Sequence, residues 1–565
     1  PKSTPLYSSA ASDVYKRQNQ TSATGTAASR RTPFLSNWAM TDGPQYRWRS
    51  NITFKVDWRV TPHSTLSFGA TENYQLMLNP SNETINFATG RTGTPTVTGG
   101  VPFSYGDSNV IGAAGQGGVT ITGAYTRRTE ATNGENLQYR FDNGEWKVEA
   151  RTSLSIGKAW FRSIENGNFY AVRANFKSPV RVVFSDIRDG KPGKTQVFNN
   201  SNQEVDLYDP NNYNLSAASG TGRDVRDQIL RHGLDVKRTL RFLPFPASVQ
   251  VGGVFKEQKR DRRLRDWNYT HLGVNGDLSS LPYLAQVYAN QKLAFNNVDR
   301  GLPWIQPGRA YQAWMANPTL FTMTPAQMVT KAKNAIGSNS QFIKETVPAY
   351  YVQTEMKFLN NRLNVLTGVR YEETKNDGVG PLIDPNAIYV RNADGSFARN
   401  AAGQRIRKPE AGAVGSMEEL RLTDTERGYR AKRSFDGYYP SLHLSGNITE
   451  RFVARAAYAK TYGRPNFSSI LPSTTVREND LGPDPDPALV QGTITVTNTG
   501  LRPWTADNFD LSLEYYTDSG GLFGASVFHK KVRDFFGTFA KVPTVAELAV
   551  LGLGPEYEGW QVNST

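Results

Sequence analysis

Five histidines, His63, His232, His271, His443 and His529, are the side chains best suited to hold a metal or move a proton near neutral pH. No two are close in sequence, and none falls in an H-E-x-x-H or comparable spacing. His443 sits between Leu442 and Leu444. On a strand, that alternation turns its imidazole away from both leucines and toward a hydrated interior, where it could meet a ligand or simply water. The carboxylate pairs Glu372-Glu373 and Glu418-Glu419 are poor acid–base partners. Neighbours on a strand point to opposite faces, and the second pair lies in a loop-like stretch. The chain contains no cysteine, which excludes a disulfide scaffold, a thiolate metal site and a thiol nucleophile. Neither a phosphate-binding glycine loop nor a G-x-S-x-G elbow is present. The chemistry expected is therefore not enzymatic, with no cofactor and no metal site.

The repeating elements are one-sided strands. From Asn51 to Val60, Ile52, Phe54, Val56, Trp58 and Val60 alternate with Thr53, Lys55, Asp57 and Arg59, which predicts a ribbon with one apolar and one charged face. The unit recurs in six hairpins. Their turns are Thr61-Pro62-His63, Asn143-Gly144, Leu243-Pro244-Phe245-Pro246, Asn360-Asn361, Asn447 to Arg451 and Asp518-Ser519-Gly520-Gly521. Six hairpins predict about twelve strands of about ten residues. Between hairpins lie long stretches, 79–136, 157–231, 257–346, 373–437 and 461–506. Capping boxes at Thr324 to Gln327 and Thr544 to Glu547 predict two short helices within such stretches.

Composition agrees. Of 565 residues only 38% are hydrophobic, yet 11% are aromatic, so apolar side chains are placed economically rather than scarce through disorder. No apolar run approaches the ~18 residues of a membrane helix. Short turns on one side, long connections on the other and alternating strands predict an all-β fold, a transmembrane antiparallel β-barrel with short periplasmic turns and long extracellular loops. Tyr350-Tyr351, Tyr438-Tyr439 and Tyr515-Tyr516 fall at strand ends, where a membrane girdle of aromatic rings is expected.

Residues 439–467, YPSLHLSGNITERFVARAAYAKTYGRPNF, resemble the barrel of TonB-dependent outer-membrane receptors, which commonly carry a PSL strand, a turn, a second strand and an RPNF run. Residues 499–536, with an N-F-D-L-S-L-E-Y strand and a glycine turn, look like the family's next hallmark, and 349–373 are similar to an earlier strand pair. The resemblance implies a 22-stranded barrel around an N-terminal plug. It also implies import of a scarce ligand such as an iron chelate, cobalamin or oligosaccharide, driven through the inner-membrane partner TonB, which grips the plug. No positions here match the plug, its TonB-contacting segment or the final strands. Residues 1–18 read as non-native sequence, 19–45 as a loop or linker, and 46–565 as part of a receptor barrel domain.

Several surfaces then become candidates. Trp267, Tyr269, Trp304, Tyr311 and Trp314 would suit an extracellular ligand mouth, or pack the loops against one another. Lys256, Lys259, Arg260, Arg262, Arg263 and Arg265 could meet lipopolysaccharide phosphates, or form a mixed solvated face with Glu257, Asp261 and Asp266. A net charge of +14 permits nucleic-acid binding, but no nucleic-acid motif accompanies it and the charge is dispersed, so no such partner is expected. The competing readings are a passive porin-like outer-membrane channel and a secreted all-β sugar-binding protein. The latter calls for evenly spaced short strands or repeated blades, which the lopsided loops do not offer.

Overall fold

The computed structural model describes residues 34–94, 97–273, 305–337, 340–393, 396–466, 470, 474–479, 491–497, 503–535, 537, 539–551 and 557–564. Residues 1–18 and Trp304 lie outside them.

Twelve strands form one antiparallel meander: β1 (Tyr46–Thr61), β2 (Ser64–Ala88), β3 (Gly118–Asp142), β4 (Trp146–Arg162), β5 (Tyr213–Thr239), β6 (Ala247–His271), β7 (Ser340–Phe358), β8 (Leu363–Ile383), β9 (Asp424–Asn447), β10 (Phe452–Gly463), β11 (Trp504–Tyr516) and β12 (Leu522–Arg533). Each pairs with its sequence neighbour, so all six predicted hairpins are present. Among the described residues the wall does not close, since β1 pairs only with β2 and β12 only with β11.

The tight turns follow local chemistry. After β3, Asn143 accepts from the backbone N–H groups of Glu145 (3.1 Å) and Trp146 (2.8 Å), and Gly144 takes a positive φ of 84°. Between β7 and β8, Leu359, Asn360 and Asn361 all have positive φ, a conformation that asparagine tolerates well.

The strands are longer than the expected ten residues. β2, β3 and β6 each run 25 residues and β5 runs 27. Beyond the apolar alternation near each tight turn the ladder continues through polar side chains, and at the outer ends of β2 and β3 buried apolar residues resume with Ile85, Phe87, Val119 and Ile121. The stretch read as a loop at 19–45 likewise contains a strand, Asn37–Asp42, paired with the outer end of β2. Both capping boxes form. Thr324 caps α2 (Pro325–Ile336), and Thr544 precedes α4 (Val545–Leu551). Two further helices, α1 (Pro307–Ala316) and α3 (Met417–Thr423), lie between hairpins; Glu418 and Glu419 belong to α3 rather than to a loop. No described helix is long and apolar enough to cross a membrane.

Near the turns the two faces differ sharply. One carries Val251, Tyr350, Val352, Val369, Leu442, Leu511 and Leu513, all exposed. The other carries charged and amide side chains. In hydrocarbon every backbone group must pair within the wall, so the apolar face is the one that meets lipid. Leu511 and Ser512 are neighbours on opposite faces of β11, Leu511 opposing Ala456 and Val527, Ser512 opposing Arg455 and Ser526. Leu511→Arg should cost about 2–4 kcal/mol, whereas Ser512→Arg should be nearly neutral. Denaturant unfolding of the two variants in lipid vesicles measures the difference, and equal costs would refute the assignment of faces.

Candidate functional site

The polar face of β4 to β8 is the wall a hydrated interior would present. Alternation places Glu149 and Arg151 on β4, Asp235 on β5, Gln250 on β6, Tyr351 and Gln353 on β7 and Arg370 on β8 together on it. Arg151 bridges Glu149 at 3.1 Å and Asp235 at 2.9 Å. The Tyr351 hydroxyl donates to Asp235 (2.5 Å) and accepts from the Gln250 amide (2.7 Å), which in turn accepts from Gln353 (3.1 Å). A recess of about 500 Å³ opens here. Its lining includes five cations (Lys147, Arg151, Arg231, Lys237, Arg370) and two carboxylates (Glu149, Asp235). This surface can hold and orient an anionic or strongly hydrogen-bonding group.

Higher on the same face the network becomes buried. Glu372, 4% exposed, accepts from Arg370 (3.0 and 2.7 Å), from the Tyr462 hydroxyl and from Arg464. Arg464 also reaches Glu345 at 3.2 Å, which Lys256 approaches at 3.7 Å. A buried carboxylate is tolerated only with such partners. Glu373 points the other way, to Lys375 (3.0 Å) and Ser434 (3.1 Å). Arg464 stands in the RPNF run; its type and neighbours were visible in the sequence, but not that it folds back over β7 and β8.

His443 is on this polar face, opposite Leu366, in a recess of about 380 Å³ with Tyr351, Gln353, Arg370, Tyr439 and Ser441. The tyrosine doublets divide between faces, which corrects their reading as girdle pairs. Tyr350, Tyr438 and Tyr515 stand on the apolar face. Tyr351 joins the polar network, Tyr439 stacks with Tyr462 at 4.5 Å, and Tyr516 donates to Glu514 at 2.7 Å. Successive residues of a strand cannot both meet lipid. The basic cluster on β6 splits in the same way: Lys256, Arg260 and Arg262 on the polar face, Lys259, Arg263 and Arg265 on the other.

The loop aromatics lie elsewhere. Trp267 and Tyr269 continue the outward series of β6 that begins at Val249, so they stand on the outer side of the wall rather than over its interior. Their rings pack with α1 and its neighbours around Phe169, which is fully buried. Tyr269, Tyr311, Trp314 and Phe321 have ring centroids 5.6, 5.9, 5.4 and 5.0 Å from it. Lys331 of α2 covers the Trp267 ring at 4.9 Å. These aromatics form the centre of a loop core that also holds Ile85, Phe87 and Ile121. At its margin, burial raises the Glu83 carboxyl to about 8, partly offset by the Ser81 hydroxyl and the Ile305 backbone. Among the described residues no group of three or more His, Asp or Glu side chains is placed to hold a metal ion.

Comparison with known proteins gives a family. The model for "TonB dependent receptor-like, beta-barrel" matches residues 175–557. No curated protein matches the chain. Similar solved structures include the ferric-catecholate import receptor Fiu of E. coli K12 (10% identity, TM-score 0.36, 88% of this chain and 57% of that one). Two others are the alcaligin outer-membrane receptor FauA of Bordetella pertussis (9%, 0.32, 90% and 52%) and a ferric enterobactin receptor PfeA mutant of Pseudomonas aeruginosa (10%, 0.29, 93% and 58%). The chain thus spans little more than half the length of these proteins.

Two outcomes test the loop core. Phe169→Ala should destabilise it by about 3–5 kcal/mol, seen as faster protease cleavage between hairpins while the barrel keeps its heat-resistant gel mobility. Glu83 binds its proton more tightly when folded, so its contribution to stability is full below pH 4.5 and declines as pH rises to about 8. Glu83→Gln should remove that decline and raise the melting temperature of the loop core at pH 9, but not at pH 4.

Proposed function

Because the chain belongs to the TonB-dependent receptor family, we propose that it binds a scarce, bulky ligand at the cell surface and imports it into the periplasm with energy delivered by TonB. It is a protein of the Gram-negative outer membrane. The observation that carries the proposal is the family match over 175–557, the greater part of the meander. The wall supports it in physical terms, with one face fit for lipid and one lined by hydrated ion pairs. Coupling to TonB through the family's plug is part of the proposal.

Among siderophore chelates, cobalamin and oligosaccharides, the five cations against two carboxylates in the polar recess favour an anionic cargo such as a ferric chelate. Arg151 and Arg370 are the residues best placed to meet it, each with part of its guanidinium surface facing the recess. A neutral glycan would gain less from that excess of positive charge.

Uptake decides the matter. Cells expressing the receptor should take up at least one labelled ligand from a panel of ferric siderophores, cobalamin and maltooligosaccharides. That uptake should stop when TonB is deleted or the proton gradient is collapsed. Uptake that persists without TonB would identify a passive porin-like channel instead.

A further inference from the structure

The six tight turns are not alike. After β1, β3 and β11 their tips are polar, with Pro62-His63, Asn143-Gly144 and Ser519-Gly520. After β5, β7 and β9, the three neighbours in the middle of the wall, the tips carry Phe242, Leu359 and Ile448, which are 76%, 71% and 55% exposed. These three turns form one ledge. Phe245 packs on Phe358 with ring centroids 4.6 Å apart, the Lys357 N–H donates to the Pro246 carbonyl (2.9 Å), and the Asn447 N–H donates to that of Arg362 (2.8 Å). Proline fixes φ at residues 244 and 246. Leu359 holds a left-handed φ of 52°, unfavourable for leucine, and the side chain it carries is exposed.

The charges on the ledge do not balance. Arg241, Lys357 and Arg362 are exposed, and none of them forms an ion pair among the described residues. No carboxylate occurs from 238 to 246 or from 356 to 363, and Glu450 on the third turn is the nearest counterweight at the tips. The flanking cations are already engaged. Arg238 pairs with Glu145 at 3.4 Å and covers the Trp146 ring at 4.8 Å, and Arg451 pairs with Asp518 at 2.5 Å. Anchoring in lipid does not account for the patch. The bilayer surrounds the wall on every side, so it calls for apolar tips on all the turns rather than on three neighbours. A localised apolar patch among unpaired cations fits a localised partner.

We propose that this ledge docks a soluble periplasmic protein through a patch in which carboxylates rim an apolar centre. Phe242 and Leu359 are the anchors that enter the partner, and Arg241, Lys357 and Arg362 meet its acidic rim and fix its orientation. The fixed turns lower the ordering cost of docking, because the anchors are already held out from the wall. A partner seated there stands at the periplasmic end of the polar interior. The docking rests on the tight turns being periplasmic, and not on the proposed cargo or on TonB.

The test puts the photo-crosslinker p-benzoylphenylalanine in place of Phe242 in the full receptor in living cells, and in place of Ser519 as the control. One soluble protein should be captured at 242 and not at 519, in cells with and without TonB. That protein, purified, should bind wild-type receptor in phospholipid nanodiscs. The triple variant Arg241→Glu, Lys357→Glu, Arg362→Glu should bind it on the order of 100-fold more weakly, and Leu359→Ser on the order of tenfold more weakly. Unchanged affinity of these variants would overturn the proposal. So would no adduct at 242, the same adduct at 519, or an adduct made only with phospholipid, with a second receptor or with TonB. Should the triple variant lose its heat-resistant gel mobility, wild type alone decides. Its affinity for the captured protein should fall at least about tenfold from about 50 to about 500 mM salt, and an affinity indifferent to salt would refute the cationic ledge.

Discussion

Hydrocarbon offers a backbone N–H or C=O no partner, so each must find one in the chain itself. That requirement fixes the form of this wall. A strand within it must be hydrogen-bonded on both edges, so each hairpin must register with the next, as the ladders joining β2 to β3, β4 to β5, β6 to β7, β8 to β9 and β10 to β11 do here. Once the backbone is committed, side chains are assigned to solvent or lipid by parity alone. Lipid claims one face, and everything polar has to share the other. The ion pairs from Arg151 to Asp235 and from Arg464 to Glu372 are thus a consequence of where charge is still permitted.

The same parity explains why the polar face is densely cross-linked. Residues two apart on one strand and directly opposed on the next lie close together, so Glu149, Arg151, Asp235 and Tyr351 can form a continuous chain across β4, β5 and β7. Where water reaches the face these contacts contribute little each. Where the segment carrying Tyr462 and Arg464 folds over it, water is excluded, and Glu372 depends on having three donors. The wall therefore grades from a solvated surface near the turns to a fixed electrostatic cluster nearer the loops.

The hairpins were legible because lipid imposes a period of two, and turn residues such as Asn143-Gly144 and Asn360-Asn361 mark where it reverses. The strand extensions were not legible, because outside lipid the ladder no longer needs apolar alternation: Arg127, Arg128 and Glu130 read as loop yet pair in β3. Parity separates Tyr350 from Tyr351 just as it separates Glu372 from Glu373, so adjacent tyrosines on one strand cannot form a girdle pair. For Arg464 the sequence carries the residue and its motif; what it lacks is the long-range fold that brings residue 464 to residue 372, a contact across 92 positions.

Trp267 and Tyr269 show why aromatic residues in long stretches between hairpins are a weak sign of a binding mouth. A connection of that length gains order only by burying apolar surface, and aromatic rings supply the most per residue. Phe169 gathers rings from β6, α1 and the strand at Phe321–Thr322, segments far apart in sequence, and so closes several loops with one contact set. The cluster sits on the outward side of β6, where the apolar face would otherwise continue above the membrane with neither lipid nor protein to cover it. The loop core and the bilayer are thus two coverings of one face. Between them the outward series turns to charged side chains, as Lys259, Lys344, Asp377 and Lys432 align across β6 to β9, because there it leaves lipid before it enters protein.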